Sequence, residues 1–291
     1  MRRRGWLPAW LFVVLGSAAA GQQTGLDFPG SAAVSTTMRF KFVDPHLNGL
    51  PIYGPSGAGV TYIWRAYPRQ QAGYYTTFFW GNDDGHEDLT TFLWAPGGGA
   101  DSFYGAHPYP QNPPNGNTHF WEIAVEQNDF TNGTVVYDRW YTQALRVWAD
   151  ANGKHHEFYW DLPNTDANHR TTRTSPASYG NINPPAPALT WGDAPWAPGN
   201  EVWNGVLRGI QIYAVSLSLS DIAGEVAAPL STTAGANSVW YLNLNPTPAD
   251  ISDKSGMGHH PIWVGNQRPS LHTDGTIDTV APNPPGSLTV Q

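Results

Sequence analysis

The stretch Arg146-Val147-Trp148-Ala149-Asp150-Ala151-Asn152-Gly153-Lys154-His155-His156-Glu157-Phe158-Tyr159-Trp160 decides the fold. Val135 to Trp148 on one side and Glu157 to Trp160 on the other are rich in β-branched and aromatic residues, which suit a pleated, half-buried surface. Between them, Asp150-Ala151-Asn152-Gly153 is a turn sequence, because Asn-Gly accepts the positive φ angles that tight hairpins require. The spacing predicts an antiparallel hairpin.

Similar runs recur outward from this hairpin: Met38 to Val43, Val60 to Tyr67, Tyr74 to Trp80, His119 to Glu126 and Val206 to Leu217, each bounded by Gly, Pro, Asn or Asp clusters. The chain of 291 residues carries 31 Gly and 26 Pro, and its lysines are only Lys41, Lys154 and Lys254, which excludes a helical bundle. Its 14 Trp, 13 Tyr and 11 Phe bury too much apolar surface for a disordered chain. On Val206 to Leu217, Ile210, Ile212 and Ala214 alternate with Gln211, Tyr213 and Val215, so apolar groups occur on both faces. The expected fold is all-β, an antiparallel two-sheet sandwich. Ser218 with Asp221 three residues later predicts a capped helical turn after that strand.

Residues 1–20 read as a signal peptide. Arg2 to Arg4 form a positive segment, Trp6 to Gly16 an apolar one too short to span a bilayer, and Ala18-Ala19-Ala20 a cleavage site before Gly21. Arg3-Arg4-Gly5-Trp6-Leu7 loosely resembles a twin-arginine signal of bacterial export, and the route stays open. Secretion is the expectation. The net charge of −8 becomes more negative once those arginines are removed, which argues against nucleic acid or an anionic membrane as partner. With no cysteine, disulfides, zinc thiolates and thiol catalysis are excluded, and no later segment is apolar enough for membrane insertion.

Residues 21–228 are expected to form the sandwich and 229–272 a C-terminal extension packed on it through Trp240 and Trp263. Pro163 to Pro187 and Pro229 to Gly235 lack periodicity and are expected to be surface loops. Residues 273–291 are expected to be a linker, in which Ala281-Pro282-Asn283-Pro284-Pro285-Gly286-Ser287-Leu288-Thr289-Val290 resembles the entry strand of a fibronectin type III domain. The implied partners are downstream domains of the same polypeptide.

Three further patterns carry a second resemblance. Leu26-Asp27-Phe28-Pro29-Gly30-Ser31 with Val34, followed by Thr37 to Phe42, opens the set. Trp140, Ala144 and Phe158-Tyr159-Trp160-Asp161 form its middle, and Ile212-Tyr213, Leu217-Ser218 and Asp221-Ile222 its end. In order and spacing they resemble a laminin G-like jelly roll of the concanavalin A-like lectin and glucanase superfamily. The resemblance implies a jelly-roll sandwich that binds a polysaccharide or glycan.

Candidate binding residues are the aromatic and polar side chains on strands and loops: Trp80, Tyr104, His107, Tyr109, Trp121, Arg139, Trp140, Arg146 and Trp148. Sugars present an apolar CH face and a hydroxyl rim, so a glycan site combines aromatic faces with polar groups. Trp140, Thr142, Ala144, Arg146 and Trp148 share one strand face, where the small residues would leave open platforms between the rings. The competing expectation is that these rings fill the core.

In Trp121-Glu122-Ile123-Ala124-Val125-Glu126, Glu122 and Glu126 share a strand face and the run resembles the E-x-D-x-E signature of family 16 glycoside hydrolases. Such enzymes need two carboxyl groups about 5 to 5.5 Å apart with pKa values driven apart. Ala124 stands where the resemblance would put the tuning Asp. A hydrolase using Glu122 and Glu126, a polysaccharide lyase drawing on Tyr137, Tyr141, His119 or Arg139, and an adhesive domain without a sugar site are the alternatives to a binding module. Asn82-Asp83-Asp84-Gly85-His86-Glu87-Asp88 offers hard oxygen ligands from Asp83, Asp84 and Asp88 suited to calcium, or else a solvated acidic turn. The pairs His155-His156 and His259-His260 are adjacent and would point to opposite faces of a strand, which disfavours chelation.

Overall fold

The turn at Asp150 closes a ten-residue hairpin in the computed structural model, which describes residues 23–34, 36–42, 59–82, 86–95, 103–108, 123–124, 135–175, 187–195, 197–228, 238–242, 251–253 and 258–274. The strands run, in chain order, β1 (Gln23–Pro29), β2 (Arg39–Phe42), β3 (Gly59–Pro68), β4 (Gly73–Asn82), β5 (His86–Ala95), β6 (Phe103–Pro108), β7 (Ile123–Ala124), β8 (Tyr141–Asp150), β9 (Gly153–Leu162), β10 (Arg170–Ser175), β11 (Pro187–Trp191) and β12 (Asn204–Tyr213). One helix, α1 (Leu219–Ala227), precedes β13 (Ser238–Leu242), β14 (Ile262–Val264) and β15 (Ser270–Asp274). No helix among the described residues is long and apolar enough to cross a membrane.

The strands form two antiparallel sheets. The larger has the order β10-β9-β8-β3-β12-β1-β15, with β13 joining the second half of β12, and the smaller has β14-β2-β11-β4-β5-β6-β7. Their inner faces share one core. Tyr62, Trp64, Leu145, Phe158 and Ile210 enter it from the larger sheet, and Phe40, Phe42, Leu189 and Trp191 from the smaller. Trp64 stacks on Phe158 at 5.9 Å and meets Trp191 edge-on at 5.6 Å, so aromatic edge-to-face packing bridges the sheets. β13 and β15 hydrogen-bond into the larger sheet and β14 into the smaller.

Several strand limits differ from expectation, each for a local reason. Residues 135–140 are not strand: Asp138 has φ 59, and the Tyr141 hydroxyl both accepts from the Val136 N–H (2.8 Å) and donates to the Val136 carbonyl (2.9 Å). β12 ends at Tyr213 because Thr61 Oγ1 donates to the Val215 carbonyl (2.8 Å) and accepts from the Leu217 N–H (2.9 Å), pulling the chain out of register. Within the expected loop Pro163 to Pro187 lies β10, Arg-Thr-Thr-Arg-Thr-Ser, a polar edge strand with no apolar face to betray it. In the β8–β9 turn only Gly153 takes positive φ (141°), while Asp150 accepts the Asn152 N–H at 2.7 Å and bends the chain. The segment Pro229 to Gly235 lies outside the described residues.

α1 starts as the sequence requires. Ser218 Oγ accepts from the Asp221 N–H and the Asp221 side chain accepts from the Ser218 N–H, a capping box with Asp in place of the usual Glu. The helix packs on the outward face of the larger sheet, where Ile222 and Leu217 cover Ile63, Ala144 and Tyr213. Tyr213 donates to Glu225, fully buried on the helix, at 2.6 Å.

Two buried groups oppose each other in acid. Burial depresses the His156 imidazole from 6.5 to about 3. Burial raises the Asp193 carboxyl from 3.8 to about 6, although it accepts the N–H groups of Gly199 (2.9 Å) and Met38 (3.1 Å). The unfolded chain takes up the His156 proton first, so that contribution to stability is lost as pH falls below 6.5. The folded chain takes up the Asp193 proton first, so its contribution is present in acid and lost as pH rises through 6. The two offset each other between about pH 4 and 6. The variant His156→Phe is therefore expected to gain stability on the parent in that window by about 1.4 kcal/mol per pH unit of acidification. Denaturant unfolding at stepped pH checks this, and identical slopes for variant and parent would contradict it.

Candidate functional site

Pleating fixes which side chains of β3 reach the outside. With Tyr62, Trp64 and Ala66 in the core, Arg65 and Tyr67 face outward. Arg65 is directly opposite Arg208 of β12 on one side and Thr142 of β8 on the other, and Tyr67 is opposite Val206. Gly25 of β1 lies beside Val206 and Arg208. A Cβ there would come within 2.3 Å of Val206 Cγ1 and 3.5 Å of Arg208 Cβ, so this glycine makes room for the outward side chains.

Trp140, in the segment before β8, lies across this patch. Its ring centroid is 4.0 Å from Arg208 Cζ, 5.7 Å from Arg65 Cζ and 5.4 Å from the Tyr67 ring. Arg208 retains only 7% of its exposure although it projects from the outer face, whereas the indole is half-buried. The indole thus covers the Arg208 guanidinium as a cation–π pair. At the patch edge Arg69 binds Asp27 through two hydrogen bonds of 2.6 and 2.8 Å, which raise its pKa further.

The other outward cluster lies at the far end of β8. Trp148 and His155 are cross-strand partners with ring centroids 4.8 Å apart and planes 15° apart. That separation matches the spacing of neighbouring strands, so the two rings stand side by side out of the sheet. His155 is held by Asp150 (2.8 Å) and Thr174 (3.1 Å), and its hydrogen bond keeps the Asp150 carboxyl below the ordinary range. Arg146 lies 4.8 Å from the Trp148 centroid, pairs with Glu157 and donates to the Leu217 carbonyl at 2.8 Å.

The expected open strip along β8 is therefore not continuous. Its small residue Ala144 is where α1 docks, because a short side chain on an outer face lets a helix approach. Trp140 and Trp148 belong to separate clusters. Arg139 faces away from the Trp140 patch, pairing with Asp161 at 2.5 Å with its Cζ 4.1 Å from the Tyr141 ring. Trp80 falls on β4 and Tyr104 and His107 on β6, all in the smaller sheet. Tyr109, Trp121, Glu122, Glu126, Asp83 and Asp84 lie outside the described residues, with Ala124 on β7 and Asp88 on β5. Among the described residues no group of three or more His, Asp or Glu could hold a metal ion. His155 faces outward while His156 is buried, so the pair does not converge.

Sequence reasoning missed Arg65, Tyr67 and Arg208. A usable signal was present for the first: Arg65 is the one charged residue in the run Val60 to Tyr67.

No protein-family model and no curated protein matches the chain. Solved structures do. A candidate carbohydrate-binding protein from Bacteroides ovatus is similar over 88% of this chain and 61% of its own length, with TM-score 0.54 and 12% identity. The enzymatically active domain of tailspike protein 2 from bacteriophage CBA120 is similar over 78% of this chain and 31% of its own, with TM-score 0.51 and 14% identity. A heptameric SAP-like pentraxin from Limulus polyphemus is similar over 86% and 94%, with TM-score 0.49 and 12% identity. The chain spans about three fifths of the Bacteroides protein and under a third of the tailspike domain. At these identities the likeness to the Bacteroides protein and the tailspike domain shows a shared fold alone, and a fold hosts many functions.

The packing around Gly25 is testable. Gly25→Ala is expected to cost about 1–3 kcal/mol by overpacking against Val206. Chemical unfolding measures this, and a variant as stable as the parent would show that the outward face yields freely.

Proposed function

We propose that the chain is a secreted carbohydrate-binding module of the laminin G-like, concanavalin A-like kind, one unit of a larger polypeptide, and that Trp140 is its sugar platform. One feature carries this above the rest: a half-buried indole over the Arg208 guanidinium, with Arg65 Cζ 5.7 Å and the Tyr67 ring 5.4 Å from its centroid and Thr142 paired opposite Arg65. A pyranose ring stacks its CH face on such an indole while its hydroxyls reach the surrounding donors and acceptors. Trp64, Trp191 and Trp203 are fully buried and offer no such face. Trp148 has His155 stacked on its ring at 4.8 Å and the Arg146 guanidinium over it at 4.8 Å. The similarity to a candidate carbohydrate-binding protein agrees with this function, and residues 1–20 would direct the chain out of the cell.

Affinity electrophoresis of the parent, Trp140→Ala and Trp148→Ala through gels containing different polysaccharides tests the assignment. Trp140→Ala is expected to weaken binding roughly thirtyfold, the loss typical of a central Trp anchor. Trp148→Ala is expected to change it less than threefold. Unchanged retardation of Trp140→Ala would remove the platform, and retardation of no protein by any polysaccharide would remove glycan binding.

A further inference from the structure

The tip of the β8–β9 hairpin carries a chemistry that the sugar site does not use. In an Asn-Gly pair the side-chain amide lies within reach of the next backbone nitrogen, and glycine has no Cβ to shield that nitrogen or to restrict its approach. Two such pairs fall within the described residues, Asn152-Gly153 and Asn204-Gly205. They differ in what holds them. Asn204 opens β12, and its amide donates to the Gln70 carbonyl at 2.8 Å. Gly205 lies between two strands, opposite Phe28 on one side and Pro68 on the other, and a Cβ there would come within 1.9 Å of the Tyr67 carbonyl oxygen. The Gly205 nitrogen cannot turn toward the Asn204 side chain without parting the sheet.

Asn152 is exposed in the turn itself, between Asp150 at the end of β8 and Gly153 at the start of β9. Its side chain is not tied into the sheet. Asp150 lies against the same turn: it accepts the Asn152 N–H at 2.7 Å and that of Gly153 as well, and its Oδ1 meets His155 Nε2 at 2.8 Å. The His155 hydrogen bond first, and then the Asn152 N–H, hold this carboxyl below the ordinary range, so it is ionised at neutral pH. An ionised acceptor thus already touches the N–H of the nitrogen that would attack Asn152.

We infer that Asn152 is a self-modification site, converted to aspartate and isoaspartate by its own turn with Asp150 as proton acceptor. The Gly153 nitrogen bonds to Asn152 Cγ while its proton passes to the Asp150 carboxylate. The Cγ–Nδ2 bond then breaks, and the proton leaves with the amide nitrogen as ammonia. Water opens the cyclic imide at either carbonyl, which gives aspartate or an isoaspartate whose main chain runs through Cβ and Cγ. No atom is oxidised or reduced. Either product adds a carboxylate to a tip that already holds Asp150.

The experiment incubates the full chain, folded, in mildly alkaline buffer and digests it with trypsin, which releases Val147 to Lys154 with Asn152 as its one asparagine. Mass spectrometry is expected to show this peptide deamidating with time, and labelling by an isoaspartyl methyltransferase to identify the isoaspartate. Asn204 in the same sample is expected to convert at least about tenfold more slowly, since its nitrogen partner is locked in the sheet. Asp150→Ser keeps a side-chain acceptor for the turn but no carboxylate, and is expected to slow conversion of Asn152 about tenfold or more. Asn152→Gln, whose longer side chain closes a larger ring less readily, is expected to leave the peptide unmodified, and equal unfolding midpoints should show all forms folded. Conversion of Asn152 no faster than that of Asn204, or conversion seen only in denaturant, overturns the site. Undiminished conversion in a folded Asp150→Ser protein overturns the part given to the carboxylate, and with it the inference that this turn promotes its own modification.

Discussion

Trp64 sits between two sheets with no exposed surface, stacked on Phe158 of its own sheet and edge-on to Trp191 of the other. Burying rings of this size is worth several kcal/mol apiece, and truncation of such a residue costs about 3–5 kcal/mol. Its larger consequence is geometric. Side chains alternate along a strand with a period of two, so holding Trp64 inward forces Arg65 outward, and a slip of one residue would bury the arginine and expose the indole. The parity of β3 therefore places the patch that we assign to ligand binding.

The outward face is divided by a second constraint. α1 needs an apolar bed and finds it over Ile63, Ala144 and Tyr213, midway along the larger sheet. Its capping box fixes where it begins, directly after β12 leaves the sheet. The clusters on either side of it differ in kind. At one end Trp148 and His155 stand as a cross-strand pair tied by Asp150 and Thr174. At the other, Trp140 lies down over a guanidinium. Both contain an indole near an arginine, and the ring of Trp148 is in addition stacked on His155.

Local features were legible in the sequence because their causes are local. The hairpin at Asp150 to Gly153, the capping box of Ser218 and Asp221, and the opposite facing of His155 and His156 each depend on a few consecutive residues. Trp140 was recognisable as an aromatic of interest, but its partners were not. Arg65 and Arg208 meet only through the β3–β12 register, and that register changes at the bulge between Arg208 and Gln211, next to Gly209 with φ 56. No periodicity reports such a shift. β10 was missed because an edge strand facing water keeps no apolar alternation, and the docking of α1 on Ala144 was missed because a small residue reads alike whether it faces solvent or a helix.

The central claim, that the Trp140 indole holds sugar, is tested most directly by NMR of the indole N–H groups in 15N-labelled protein. Titration with a polysaccharide fragment that binds should shift the Trp140 resonance progressively and leave those of Trp64, Trp191 and Trp203 in place, since these are fully buried. A saturating titration that leaves the Trp140 resonance unmoved while others shift would contradict the account and place the sugar elsewhere.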